Sequence, residues 1–305
     1  MRVLITGGYG FLGRNTAREF KNGGHVVLGM GHGNWCNQDY NKWGFDEWFE
    51  STITLEALLI FDQKFDLIVH CGGSGSVAFT HGNPYEDFQK SVQSTLALLE
   101  YIRLQSSDCK FIYLSSPAVQ GNLGDTQISE HMEGLPLSQY GSHKKIAEDL
   151  CRSYHNNYGI TVGIVRLFSI YGQGLRKQLL WDACKKIQHT DCSVKFFGSG
   201  SETRDWLHVS DAAKLILNFS QTLISYHIVN GGSGIKTKIC DILESLQSHF
   251  DKPVKIEFNG ELKPGDPVHY WADTKQASAL GWKPEITLVE GLREYVTFFK
   301  SIQND

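Results

Sequence analysis

The sequence predicts an α/β protein built on a doubly wound parallel sheet, and three observations carry that expectation. Apolar runs of strand length alternate with helix-length amphipathic segments through roughly the first 170 residues. The runs are apolar throughout, as strands buried on both faces require, and a cluster of glycines follows the first of them directly.

The first strand, "RVLIT", ends at Thr6 and is followed by Gly7, Gly8, Gly10 and Gly13. Glycine weakens helices and strands, so a cluster here marks a backbone that turns tightly and lets another group approach. Gly8, Gly10 and Gly13 fit G-x-G-x-x-G; Gly7, Gly10 and Gly13 fit G-x-x-G-x-x-G. Both spacings describe a strand, a turn, and a helix whose free N–H groups and positive dipole end face an anion such as a pyrophosphate. The spacing after Gly13 predicts that helix near 11–22, and "GHVVLGM" supplies a second strand. "FDLIVHC", "CKFIYLSS" and "ITVGIVRLF" follow as strands, with a further one near "WFESTIT" and helices near 55–63, 85–106 and 139–157.

Beyond 168 the rhythm loosens, with loop-like "YGQGL", "FGSGSETRD", "NGGSG" and "LKPGDP" between helices near 177–189, 210–220, 237–249 and 288–301. Residues 1–167 are therefore expected to form a dinucleotide-binding domain, with segments near 205–230 returning to it. Residues 168–305 are expected to form a smaller substrate-binding lobe.

Composition narrows the function. The 305 residues are 41% hydrophobic, enough for a globular core, and a net charge of −4 supplies no basic field for nucleic acid. Seven scattered cysteines without a C-x-x-C pair read as reduced thiols, not as a disulfide frame or a metal site. No apolar stretch has the length of a membrane span, and Thr6-Gly7-Gly8 cuts short any signal-peptide pattern. A cytoplasmic protein with no membrane partner is expected.

"QYGSHKKIAEDL" puts Tyr140 and Lys144 four apart on a predicted helix, where they share a face. A phenol with a pKa near ~10 is a reluctant base at neutral pH, and a nearby ammonium favours its phenolate. "FIYLSSPAVQG" ends a strand in Ser115 and Ser116, at the carboxyl edge where ligands sit in doubly wound sheets. Ser116 there can hydrogen-bond a substrate oxygen and present it to the phenol. His70 closes a buried strand and reads as a satisfied core imidazole.

These motifs, together with "RLFSIYGQG", "RDWLHVSD", "VNGGSG" and "PGDPVHYWADTKQA", cover nearly the whole chain. In that order they resemble the extended short-chain dehydrogenase/reductases, in their nucleotide-sugar epimerase, dehydratase and ketoreductase branch. The resemblance implies a Rossmann domain in which Gly7, Gly10 and Gly13, with Phe11 and Leu12 between them, wrap the cofactor pyrophosphate. It implies that Ser116 and Tyr140 hold the reacting oxygen, that Tyr140 moves the proton, and that Lys144 binds the nicotinamide ribose and tunes Tyr140. It further assigns Arg204 to the sugar-nucleotide phosphates, Asp266 to the nucleoside, and Tyr270 to the space beside the sugar. The family's usual asparagine is replaced by Ser91 and by Ser169, the latter at a substrate contact. A homodimer paired through segments 85–106 and 139–157 is also implied.

Departures from the family pattern separate the reactions. Pro117 and Ala118 follow Ser116 where dehydratases carry an acid, which disfavours dehydration. Gly31 occupies the position of the aspartate that takes the adenosine ribose in NAD-using members. That change favours NADP over NAD, with Arg14 or His32 meeting the extra phosphate. The expectation is therefore NADPH-dependent reduction of a nucleotide-linked 4-keto-6-deoxy sugar. A 4-epimerase with tightly bound NAD is the alternative, and a non-catalytic dinucleotide-binding regulator is the alternative of another class.

Overall fold

The computed structural model describes residues 1–61, 63–105, 108–190, 192–251, 253–261, 265 and 267–302. The Rossmann half begins with β1 (Arg2–Thr6), α1 (Phe11–Asn22), β2 (Val26–Gly31), β3 (Glu47–Glu50), α2 (Leu55–Ile60) and β4 (Leu67–His70). It continues through α3 (Val77–Gly82), α4 (Pro84–Phe88), α5 (Ser94–Gln105), β5 (Lys110–Ser115), α6 (Gln139–Tyr158) and β6 (Val162–Leu167).

Then come β7 (Ser169–Tyr171), α7 (Gln178–Gln188), β8 (Ser193–Phe196), β9 (Thr203–Arg204), β10 (Trp206–His208), α8 (Val209–Thr222) and β11 (His227–Gly231). The chain closes with β12 (Thr237–Lys238), α9 (Ile239–Gln247), β13 (Lys255–Phe258), α10 (Lys275–Ala279) and α11 (Leu288–Ser301).

Seven strands form one parallel sheet in the order β11-β6-β5-β4-β1-β2-β3, the doubly wound arrangement expected from the sequence. Alternation along β1 shows why its run is apolar throughout. Val3 and Ile5 enter a core with Ala17 and Phe20 of α1 and Leu215, Ile216 and Phe219 of α8, whereas Leu4 faces Leu58 of α2 and Leu98 and Ile102 of α5. All three are fully buried, each contributing about 1.5–3 kcal/mol.

A separate core gathers Leu180 and Ile187 of α7, Val194 and Phe196 of β8, Leu243 of α9 and Tyr295 and Phe299 of α11. The chain passes back into the Rossmann half between these elements, because β11 pairs with β6 and α8 packs on α1.

Three local details differ from the expected elements. The helix expected over 85–106 is divided into α4, a π-helical turn at Gln89–Gln93, and α5. The helix near 55–63 stops at Ile60, and α3, nucleated by the Ser76 side chain accepting from the Phe79 N–H, had no counterpart in the sequence reading. Among the described residues no helix is long and apolar enough to cross a membrane.

Candidate active site

The end of β1 runs into a turn that only glycine permits. Gly7 has φ +68°, and a Cβ on it would lie 2.7 Å from the Gly72 nitrogen. A Cβ on Gly13 would lie 2.5 Å from the Gly7 carbonyl oxygen, so the turn and α1 close on each other. Gly10 caps α1 without a side-chain acceptor, leaving the first-turn N–H groups of Phe11 and Leu12 for a ligand. This cradle fits a dinucleotide pyrophosphate. Substituting Gly13→Ala drives a methyl into the Gly7 carbonyl at a cost of about 1–3 kcal/mol. We expect roughly tenfold or greater loss of dinucleotide affinity by calorimetry, with circular dichroism unchanged.

β5 delivers Ser115 and Ser116 to the same edge of the sheet. Ser115 donates to Glu148 Oε1 (2.6 Å), while Ser116 accepts from the Ala118 N–H (3.3 Å) as the cap of a short 3-10 turn. Helix α6 starts at Ser138, whose hydroxyl accepts from the Gly141 N–H (3.2 Å). A Cβ at Gly141 would lie 2.4 Å from the Ala118 carbonyl oxygen, so α6 presses directly on the Ser116 turn. That contact sets the Tyr140 phenol close enough to Ser116 for the serine to favour its ionised form, and both side chains line one cleft.

One turn along α6, Lys144 is almost wholly buried; its ammonium donates to the Leu114 carbonyl (2.8 Å) and lies 4.7 Å from the centre of the Tyr113 ring. Burial pushes the Tyr140 phenol up to about 12, against the lowering effect of Ser116, and pushes the Lys144 amine down to about 8. In the protein alone, desolvation thus outweighs the help that Ser116 gives the phenolate.

A single cleft of about 1280 Å³ is lined by Gly10, Phe11, Leu12 and Gly13 at one end, by Ser116, Tyr140 and Lys144 in the middle, and by Ser169, Arg204 and Tyr270 on the side of the smaller lobe. Gly7 lies beneath the turn, its carbonyl accepting from the Gly10 N–H (3.0 Å). Arg14 and His32 are not among the lining residues. The Arg14 guanidinium donates to the Tyr9 carbonyl (2.7 Å) and sits 4.9, 5.5 and 5.2 Å from the ring centres of Tyr9, Trp35 and Trp43. Asp266 lies outside the described residues.

On the far wall, Arg204 Nη1 donates to the Thr203 carbonyl (2.9 Å), and the Tyr270 ring packs 5.3 Å from Phe168. The Tyr270 hydroxyl is buried without a hydrogen-bond partner among the described residues, a donor left for a ligand. His70 is satisfied on both ring nitrogens, with Thr6 Oγ1 at 2.7 Å and Ser94 Oγ at 3.0 Å; burial pushes it down to about 3.

Two supporting groups escaped the sequence reading. Asp205, fully buried, accepts from Ser233 N (2.6 Å), Ser233 Oγ (2.7 Å), Gly234 N (2.9 Å) and Ala272 N (3.0 Å), tying together the segments that carry Arg204 and Tyr270. Burial raises its pKa despite these bonds. Glu148 takes both arms of Arg166, Nε at 3.0 Å and Nη2 at 2.7 Å, beneath Ser115. The quoted "RDW" and the helical position of Glu148 were the available signals, but neither tells a buried carboxylate from a surface one.

Parallel sheet, glycine cradle and Ser-Tyr-Lys cleft together define a Rossmann enzyme of the nicotinamide-dinucleotide class. A family model described as the NAD dependent epimerase/dehydratase family matches residues 3–232. The chain belongs to that family.

Among similar proteins, a putative UDP-glucose 4-epimerase of Methanocaldococcus jannaschii is 29% identical, over 98% of this chain and 98% of that one. A UDP-glucuronate 4-epimerase of Thermodesulfobacterium geofontis is 27% identical, over 97% and 95%. The solved UDP-glucuronic acid 4-epimerase from Bacillus cereus, in complex with UDP-glucuronic acid and NAD, superposes with a TM-score of 0.86 at 27% identity, covering 99% of this chain and all of that one.

Proposed function

We propose that this enzyme is a nucleotide-sugar 4-epimerase that uses NAD. The observation that carries the reading is that Ser116, Tyr140 and Lys144 line the same cleft as the glycine cradle, with Lys144 one helical turn from Tyr140. The likeness to UDP-sugar 4-epimerases supports epimerisation over the ketoreduction expected from the sequence. When bound in the glycine cradle, the dinucleotide would supply hydride acceptor and donor chemistry at C4.

The chain's own residues do the rest. Ser116 fixes the C4 oxygen, and Tyr140 withdraws its proton as the carbon is oxidised and gives it back on reduction. Lys144 would hold the nicotinamide ribose and keep positive charge in the cleft. Arg204 and Ser169 hold the sugar nucleotide, Arg204 at its phosphates, and Tyr270 borders the sugar; Asp266 is assigned to the nucleoside.

Arg14 is engaged by a carbonyl and three rings, which favours NAD over a form needing Arg14 at a 2′-phosphate. Gly31 at the tip of β2, where no carboxylate can take the ribose hydroxyls, is the observation that keeps NADPH-dependent 4-ketoreduction as the second reading. Seven free thiols fit a cytoplasmic location. Exposed Leu96 and Leu104 on α5 and Ile146 on α6 suit a homodimer paired through these helices. Sedimentation equilibrium is expected to give twice the chain mass, and Leu96→Asp to reduce it to one.

The test is to denature the purified protein, identify the released dinucleotide, and then offer UDP-glucose, UDP-glucuronic acid, UDP-N-acetylglucosamine and 4-keto sugar nucleotides. Bound NAD and an epimeric product without net change in nicotinamide absorbance are expected. Stoichiometric consumption of NADPH with a 4-keto substrate would replace epimerase by reductase. Turnover of none of them by the wild type would favour the regulator.

A further inference from the structure

Lys144 is an ammonium in a nearly dry position, and a buried cation needs a counter-charge. Two carboxylates belong to its surroundings. Glu148, on its own helix, is already matched by the Arg166 guanidinium and by the Ser115 hydroxyl. Among the described residues, Asp87 of α4, fully buried, has no arginine or lysine paired with it, and its ion-pair contact is to His143. Its Oδ1 accepts from Ser91 Oγ (3.1 Å) and from the Ser74 hydroxyl, and its Oδ2 accepts from His143 Nδ1 (2.5 Å). On the other side of that ring, Nε2 lies 2.9 Å from the Gln139 amide, which holds the imidazole in place.

His143 is the residue before Lys144, and Gly73 stands between the Asp87 network and the lysine. A Cβ on Gly73 would lie 3.0 Å from Ser91 Oγ and 3.7 Å from Lys144 Nζ. We infer that Asp87, fixed by His143, Ser91 and Ser74, is a positioning residue that supplies the counter-charge holding Lys144 as an ammonium beneath the dinucleotide site. The other groups around the lysine do not substitute for it. Cys71 and Cys151 are buried thiols pushed toward the neutral form, His70 is pushed toward the neutral ring, and Tyr113 is a phenol pushed further from ionisation. Asp87 acts in the direction inferred, raising the Lys144 amine against its desolvation.

The catalytic meaning of this charge rests on the Tyr140–Lys144 reading given above; the charge assignment itself does not. Its test therefore uses the protein without dinucleotide or sugar: carbon-13 NMR of Lys Cε through a pH titration, with Lys144→Arg to assign the signal. The wild-type midpoint is expected near the value of about 8. Asp87→Asn is expected to lower it by roughly one pH unit. His143→Gln, which keeps a neutral donor on Asp87, is expected to leave it unchanged. If Asp87→Asn does not fold, the double variant Asp87→Asn/His143→Gln keeps an amide pair in the same space and is expected to show the same fall. An unchanged midpoint without Asp87, or a higher one in His143→Gln, would overturn the assignment, the latter because the imidazole would then be the charged member.

Discussion

Tyr140→Phe is expected to lower kcat for nucleotide-sugar turnover by roughly 10²–10⁴-fold, the range for loss of a general acid–base group. The phenol lines the cleft beside Ser116, and removing one oxygen leaves the ring and its packing in place. Dinucleotide affinity and the unfolding transition should stay close to wild type, so stopped assays with intact binding identify a chemical defect.

The pH dependence has a definite sign. Tyr140 works as a base only when ionised, and burial holds it up to about 12 in the protein alone, so activity should rise with pH through the neutral range. A cationic nicotinamide in the cleft pulls that value down. Loss of the Lys144 proton, at about 8, removes support for the phenolate and should turn the profile over. Activity in the Phe variant should lose the rising limb.

Glu148→Ala is expected to have the largest effect on stability, about 3–5 kcal/mol by denaturant titration, as for other buried ion pairs that lose one partner. Arg166 would keep a guanidinium at 5% exposure with only the Glu130 carbonyl (2.8 Å) to receive it, and Ser115 would lose its acceptor. Replacing both members, Glu148→Leu with Arg166→Met, should cost much less, because no uncompensated charge remains. Equal losses in the single and double variants would contradict this account. Ser116 follows Ser115 directly and Glu148 follows Lys144 by one turn, so the single variant should also impair turnover.

The central strands were legible because strands buried on both faces leave an uninterrupted apolar signature. Val3 through Ile5 and Leu67 through Val69 could hardly be anything else between helical segments. The short pieces were not legible for the same reason in reverse. α3 spans only six residues, and the π-helical turn at Gln89–Gln93 changes the hydrogen-bond step without changing the amphipathic pattern.

In the site, Ser116, Tyr140 and Lys144 could be brought together from the strand end and the helical spacing. Asp87 and His143, 56 residues apart in the chain, could not, since each in isolation resembles an ordinary polar residue on a helix. The same holds for Asp205, whose four donors come from two distant loops.

The position of β11 bears on how the chain is made. Its partner β6 ends at Leu167, yet His227–Gly231 reach it only after α7, β8 and the other intervening segments have been translated. While those residues emerge from the ribosome, the nascent sheet presents β6 as an open, apolar edge, the kind of surface that recruits chaperones or a neighbouring nascent chain. Nonsense or frameshift products ending between Leu167 and His227 should therefore partition into aggregates rather than persist as a working dinucleotide-binding half.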